Sequence, residues 1–257
     1  MKCLCFLLCI AAHGQLIAAL KPETVREFDS YQATVDQEIQ QRVRGQRAFL
    51  WIDEHPDQKK QAENGEVVTY ALTGPDGRGV TSGIVHDWVG DIYLRGVKMD
   101  TIRSFLLDTP RHPTVYHDVT QAKILSQNRD HSVTLLRFLK KKYLTVVLDV
   151  QFNNTWQDAG TDRWFMDARS EKVTEVRDAG TPQETALPPG TGHGFMWRMN
   201  SEWLLRQDAG GTWVELRSIT LSRDTPHGLG WIIRPLIRNF PGDTIHATLE
   251  ATQRGMK

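Results

Sequence analysis

Residues 213–223, Trp-Val-Glu-Leu-Arg-Ser-Ile-Thr-Leu-Ser-Arg, alternate so that Trp213, Glu215, Arg217, Ile219, Leu221 and Arg223 share one face of a strand. Ile219 and Leu221 mark that face as inward. A carboxylate and a guanidinium then stand two residues apart where an unpaired charge is costly, so Glu215 and Arg217 need each other or the polar head of a ligand. If the face is solvated instead, the two form an ordinary exposed salt bridge. On the preceding strand Phe195, Trp197 and Met199 alternate with Met196, Arg198 and Asn200. The rings of Phe195 and Trp197, with Trp213 near the turn, suit the wall of an apolar ligand cavity, and they suit a filled core equally well. His86 and Trp88 share a face of an early strand. A neutral imidazole there can orient a head group or act as a general base, with Glu215 as its partner acid if the chain is an enzyme; a structural hydrogen-bonded histidine is the simpler reading. His193, between Gly192 and Gly194, is placed to cap a cavity mouth or to be a plain loop residue.

Other chemistries find little support. His112, His117 and Asp118 flank a proline loop at spacings that match no helical or strand ligand pair, so no metal is expected. Gly190-Thr-Gly-His-Gly194 lacks the Gly-Lys-Ser/Thr of a phosphate loop and leads into a strand, and no Gly-x-Ser-x-Gly elbow occurs. Lys140-Lys141-Lys142 beside Tyr143 could meet anionic lipid heads, although such a run usually marks a solvated turn. Asn153-Asn154-Thr155 has the form of a glycosylation acceptor. With 31 basic and 31 acidic residues, bulk charge implies neither nucleic acid nor an anionic membrane as partner.

The elements that position these residues follow from periodicity. Residues 1–19 carry Lys2, an apolar run and small residues, the pattern of a secretion signal; an exported protein, periplasmic or secreted, is expected. Cys3, Cys5 and Cys9 all lie inside it, so the mature chain would have no thiol, disulfide or Cys-bound zinc. Val25, Phe28, Val35, Ile39 and Val43 recur at helical spacing after Pro22, which predicts an amphipathic N-terminal helix. Residues 55–65 read as a polar linker, giving an N-terminal segment over 20–65 and a main domain over 66–257. That helix packs on the domain, on a partner protein, or peripherally on a membrane.

From residue 66 onward strands dominate: 67–72 and 83–94 around the turn at 74–77, then 119–127, 132–139, 144–156 and 162–171. Asp100 caps a short helix between them. Residues 181–194 form a loop, a hairpin turns at 208–211, and an apolar helical tail begins near Gly228, with Trp231 on it and a break or hinge at Asn239-Phe-Pro-Gly242. Strands and helices in this order give an α+β chain without βαβ alternation, and no internal repeat is visible.

The pieces His86-Asp-Trp-Val-Gly90, residues 139–148, Gly192-His-Gly-Phe-Met-Trp-Arg198, and Leu221-Ser-Arg223 before Gly228-Leu-Gly-Trp231 resemble the START-like, or SRPBCC, superfamily in its secreted bacterial form. The resemblance runs from about residue 66 to the end. It implies a helix-grip fold, a curved antiparallel sheet around a long C-terminal helix, related to the Bet v 1-like pollen allergens. The function it implies is holding an apolar or amphipathic small molecule, lipid-like or polyketide-like, between sheet and helix, without a cofactor. His86, Trp88, Phe195, Trp197, Trp213, Glu215, Arg217, Arg223 and Trp231 are the expected ligand-binding residues. Two alternatives stand beside it. One is a cyclase or dehydratase using His86 and Glu215. The other is an envelope interaction module with a filled core, recruited through its N-terminal helix, which deletion of residues 23–44 would disable without unfolding the domain.

Overall fold

Residues 83–95 and 211–223 are rich in β-branched and aromatic side chains, and they pair antiparallel along their whole lengths, Gly211 opposite Arg95 and Arg223 opposite Gly83. The computed structural model describes residues 19–141, 145–224 and 230–256, with side chains from 241 onward in the last segment. The expected signal, Lys142 and Tyr143 of the lysine run, and the side chain of Trp231 lie outside the described residues.

In chain order the helices and strands are α1 (Pro22–Val43), α2 (Pro56–Glu63), β1 (Val68–Ala71), β2 (Arg78–Val80), β3 (Gly83–Arg95), α3 (Met99–Leu107) and α4 (His112–Val115). Then follow β4 (Val119–Gln127), β5 (His131–Lys141), β6 (Thr145–Asp158), β7 (Arg163–Arg177), β8 (Thr185–Ala186), β9 (Arg198–Asp208), β10 (Gly211–Arg223) and α5 (Gly230–Gly255). One curved antiparallel sheet runs β1-β3-β10-β9-β7-β6-β5-β4, with β2 added to β3 and β8 to β7. The α+β helix-grip architecture expected from the sequence is the one found. Among the described residues, no helix is long and apolar enough to cross a membrane.

β3, β9 and β10 alternate between two covered faces. On one, Val85, Val89, Ile219, Leu221 and Leu204 share a core with Phe28, Val35 and Ile39 of α1 and with Phe49–Ile52. On the other, Ile92, Val214, Leu216, Trp203 and Leu205 pack with α3 and with Ile245 and Leu249 of α5. Two glycines set that second contact. A Cβ on Gly90 would lie 2.9 Å from Leu249 Cδ1, and one on Gly242 would lie 2.8 Å from Trp88 Cη2. α5 therefore sits hard against β3.

A β-bulge interrupts β7. Gln151 faces Lys172 but Phe152 faces Ser170, so Glu171 is the extra residue, and the alternation of β7 changes phase there. Before the bulge, Trp164, Met166 and Ala168 point to the α5 face; after it, Val173 and Glu175 do, opposite Val150 and Leu148.

Three expectations are corrected. Residues 55–65 are not a linker: Pro56 and Asp57 start α2, whose Ala62 is buried in the α1-side core. Asp100 lies inside the first turn of α3 and does not cap it; the Met99 N–H is instead taken by Gln207 Oε1 at 2.6 Å. The tail does not break at 239–242, because α5 runs through Pro241 as one helix, seated on Trp88 by the adjacent Gly242.

Gly242→Ala tests that seat. The helix-propensity gain of up to about 1 kcal/mol is expected to be outweighed by overpacking against a rigid indole, which costs about 1–3 kcal/mol. The urea midpoint should fall relative to the unsubstituted protein.

Candidate functional site

The expected site residues divide between the two faces of the sheet. Trp213, Glu215 and Arg217 lie on the α1 face, with Ile219 and Leu221. The expectation that they line the space beside the C-terminal helix is corrected: β10 is buried on both faces, and its inward-looking apolar residues at 219 and 221 look toward α1. Trp197 belongs to the same core, its N–H bonded to Leu221 O at 2.7 Å. Trp213 rests on Tyr93, and its indole N–H reaches Asp208.

Arg217 does not pair with Glu215. Its guanidinium grips Asp87 across the sheet, Nε–Oδ1 2.9 Å and Nη2–Oδ2 2.7 Å, while Tyr31 of α1 donates to Asp87 Oδ2 at 2.7 Å. Glu38 of α1 bridges Arg217 at 3.1 Å and Arg42 at 2.9 Å. Asp87 has no exposure at all, and only the two-pronged contact makes its charge tolerable there. Glu215 accepts the Trp51 N–H and lies 3.9 Å from Arg42. Directly across from it, Asp91 is fully buried, with neither carboxyl oxygen hydrogen-bonded. Burial, and then the neighbouring Glu215, raise Asp91 well above the usual carboxylate range. Burial raises Glu215 as well, opposed by Arg42 and by the Trp51 N–H. A parallel branch joins Arg169 to Asp36, Asp167 and Glu202, and Gln32 to Asn200.

The α1 face is therefore a bolted joint. The apolar stripe of α1 and its Tyr31, Gln32, Glu38 and Arg42 are all consumed by the sheet, so removing residues 23–44 would strip a core and strand buried charges rather than leave a folded domain. His86 and Glu215 lie on opposite faces of the sheet, and the acid–base pair proposed for them is excluded by that geometry.

The α5 face has a different character. His86 and Trp88 lie there, Thr220 opposite His86 and Gly242 against Trp88. His86 is 2% exposed, neither ring nitrogen is hydrogen-bonded within the chain, and burial pushes its imidazole down to the neutral form, opposed by Asp76. Further along the same face, Leu148, Val150, Phe152, Ala168 and Val173 form a separate apolar wall. Leu136, Phe138, Val146, Met196 and Met199 adjoin it, only partly buried. Ser132, Thr134 and Asn154 place uncharged polar groups beside the wall, Asn154 Nδ2 donating to both hydroxyls. At its rim Glu175, opposite Leu148, holds His193, whose ring stacks on Phe195; Arg223 donates to His193 O at 3.0 Å. Phe195 and Arg223 thus belong to the rim.

This wall was not singled out from the sequence, though its signal is there. Leu136 and Phe138, then Val146, Leu148, Val150 and Phe152, alternate as a one-sided apolar stripe on two neighbouring strands. Elsewhere, His112 is half-buried beside Phe105 and Tyr116, and Lys140 pairs with Asp118. Among the described residues no three His, Cys, Asp or Glu side chains are grouped to hold a metal.

No family model matches the chain, and no curated protein matches it. Solved structures do. A STAR-related lipid transfer protein from Xanthomonas axonopodis is 17% identical, covering 74% of this chain and 93% of its own, with a TM-score of 0.48. The lipid transfer and protein localization domain of human StarD13 is 10% identical, with coverage of 81% and 98% and a TM-score of 0.46. The Zhui aromatase/cyclase from Streptomyces sp. R1128 is 13% identical, with coverage of 68% and 92% and a TM-score of 0.45.

Two outcomes check the joint. Arg217→Leu leaves Asp87 charged and buried, and is expected to cost about 3–5 kcal/mol in urea unfolding. Burial raises Glu202 to about 8, opposed by Arg169 and Arg217, so the folded chain keeps a proton that the unfolded chain releases near 4.5. The stability carried by that proton is complete below pH 4.5 and is lost as pH rises through about 8. Glu202→Gln keeps the neutral shape. Over that window the unsubstituted protein should lose stability relative to the variant, by at most about 1.4 kcal/mol per pH unit.

Proposed function

We propose that this protein holds an apolar or amphipathic small molecule, lipid-like or polyketide-like, on the α5 face of its sheet, and acts by sequestering or transferring it. The observation that carries the reading is the separate apolar wall of β5, β6 and β7, whose Leu136, Phe138, Val146 and Met199 stay half-covered although they lie on the inner side of a helix-grip sheet. Side chains that merely completed a core would be expected to bury those groups fully, since each carries about 1.5–3 kcal/mol of transfer free energy when taken from water. α5 supports the reading by where it packs: its main contacts are with β3, β1, β10 and α4, toward the other end of the sheet's strand order.

The polar groups of this face are chosen for an uncharged interior. His86 is neutral, and Ser132, Thr134, Asn154 and Thr220 add donors and acceptors without net charge. A ligand body gains area on the wall, while a few such groups orient its head. The buried charges at Glu215 and Arg217 fasten α1 and take no part in binding. The signal-like residues 1–19 support export to the periplasm or the medium as the setting.

Native mass spectrometry of the mature protein from its own host, followed by organic extraction, tests the reading. A stoichiometric apolar compound is expected, and Phe138→Asp should release it. Protein that carries nothing and takes up no apolar fluorescent probe would sink the proposal.

A further inference from the structure

Glu175 and His193 meet at the rim of the apolar wall in an arrangement with few free parameters. Glu175 comes from β7 just past the bulge, opposite Leu148 of the wall, and is 10% exposed. One of its carboxylate oxygens takes the backbone N–H of His193 at 2.9 Å and the other takes Nδ1 of the same residue. The backbone around His193 is shaped for this. Gly192 and Gly194 hold φ of +102° and +73°, and a Cβ at 192 would press on Glu175 Cδ at 3.1 Å and Leu187 Cδ1 at 3.0 Å. Arg223 donates to the His193 carbonyl, and Gly194 O accepts from the Arg223 N–H at 2.9 Å. The imidazole stacks on Phe195 with ring centroids 5.2 Å apart.

A carboxylate facing Nδ1 requires the proton on that nitrogen, so the neutral ring presents Nε2 as a bare acceptor. Among the described residues nothing hydrogen-bonds Nε2, and the side chain is 39% exposed. Both Glu175 oxygens are already engaged, so the pair offers a newcomer one acceptor backed by negative charge. That combination favours a donor and disfavours an anionic head such as a carboxylate or phosphate. A hydroxyl is the donor that an otherwise apolar molecule can bring at least desolvation cost.

We propose that the His193–Glu175 pair is a hydroxyl-accepting subsite, taking the alcohol or phenol group of an amphipathic molecule whose apolar body lies along Leu148, Val150 and Phe138. The subsite rests on the ligand-holding reading above, and it narrows the ligand class to uncharged hydroxylated amphiphiles. His193 acts here as a binding group, and Glu175 as the residue that fixes which nitrogen accepts.

The test uses the full chain and three matched probes, 1-decanol, methyl decyl ether and decanoate, each titrated against bound 1-aminoanthracene. The alcohol should bind about tenfold more tightly than the ether, the size of one net hydrogen bond. Decanoate should bind more weakly than the alcohol. In His193→Phe, which keeps a ring against Phe195, the alcohol-to-ether ratio should fall to about one with the ether affinity unchanged. Equal binding of alcohol and ether by the unsubstituted protein overturns the subsite alone, as does tightest binding of decanoate. A ratio that survives in His193→Phe also overturns it. If none of the three displaces the dye, the ligand-holding reading fails and the subsite with it. The ratio in the unsubstituted protein needs no variant, so a His193→Phe protein that does not fold leaves the question decidable.

Discussion

Asp87 lies on β3, a strand paired along both edges, with no contact with solvent, and its carboxylate is compensated there by Arg217, which clasps both of its oxygens, and by Tyr31, which donates to one of them. Much of the molecule follows from that requirement. Arg217 must in turn be satisfied on its remaining side, which Glu38 does, and Glu38 reaches Arg42, which shields Glu215. Three of these partners come from α1. The helix is therefore an integral wall of the fold, and its apolar stripe and its charges are two parts of a single attachment. Removing any one partner leaves another charge buried without compensation, which is why such networks are costly to break even when their net contribution to stability is small.

The two faces of the sheet have been given different chemistry. On the α1 face carboxyl groups crowd together, and burial raises Asp91 and Glu202 above the usual carboxylate range. On the α5 face, the buried polar groups are hydroxyls, an amide and a neutral imidazole, set beside an apolar wall. A medium of low polarity penalises ions far more than hydroxyls, so only the second face can accept an apolar guest without disturbing a charge balance. The glycines at 90 and 242 anchor α5 on β3, and among the described residues its main contacts are with β3, β1, β10 and α4.

The succession of long strands along the chain, the final hairpin and both long helices were legible in the sequence, because period-two and period-3.6 patterns survive in the buried residues themselves. The facing of Glu215 and Arg217 was not. Residues 213–221 carry apolar side chains in both parities, Trp213, Ile219 and Leu221 in one and Val214 and Leu216 in the other, which is the mark of a strand covered on both sides. With one cover assumed, the apolar residues at 219 and 221 pointed to the wrong helix. The helix at 56–63 was hidden for a different reason: with Ala62 as its one buried side chain it has almost no apolar stripe to read. The Asp87–Arg217 pair joins strands 130 residues apart and the Glu175–His193 pair joins a strand to a loop 18 residues on, and spacing along the chain has nothing to say about either.

The bulge at Glu171 carries a consequence for how this chain can vary. Ahead of it the even-numbered side chains of β7 look toward α5; beyond it the odd-numbered ones do. Drawing Glu171 into the ladder as an ordinary paired residue would turn Val173 and Glu175 outward and bring Thr174 and Val176 to the inner side. The wall would lose a branched apolar group, and the rim would lose the carboxylate that orients His193, although no residue of either had been altered. In coding terms the binding face is written in two reading phases joined by a single-residue spacer, so it survives loss of the spacer better than its absorption into the ladder.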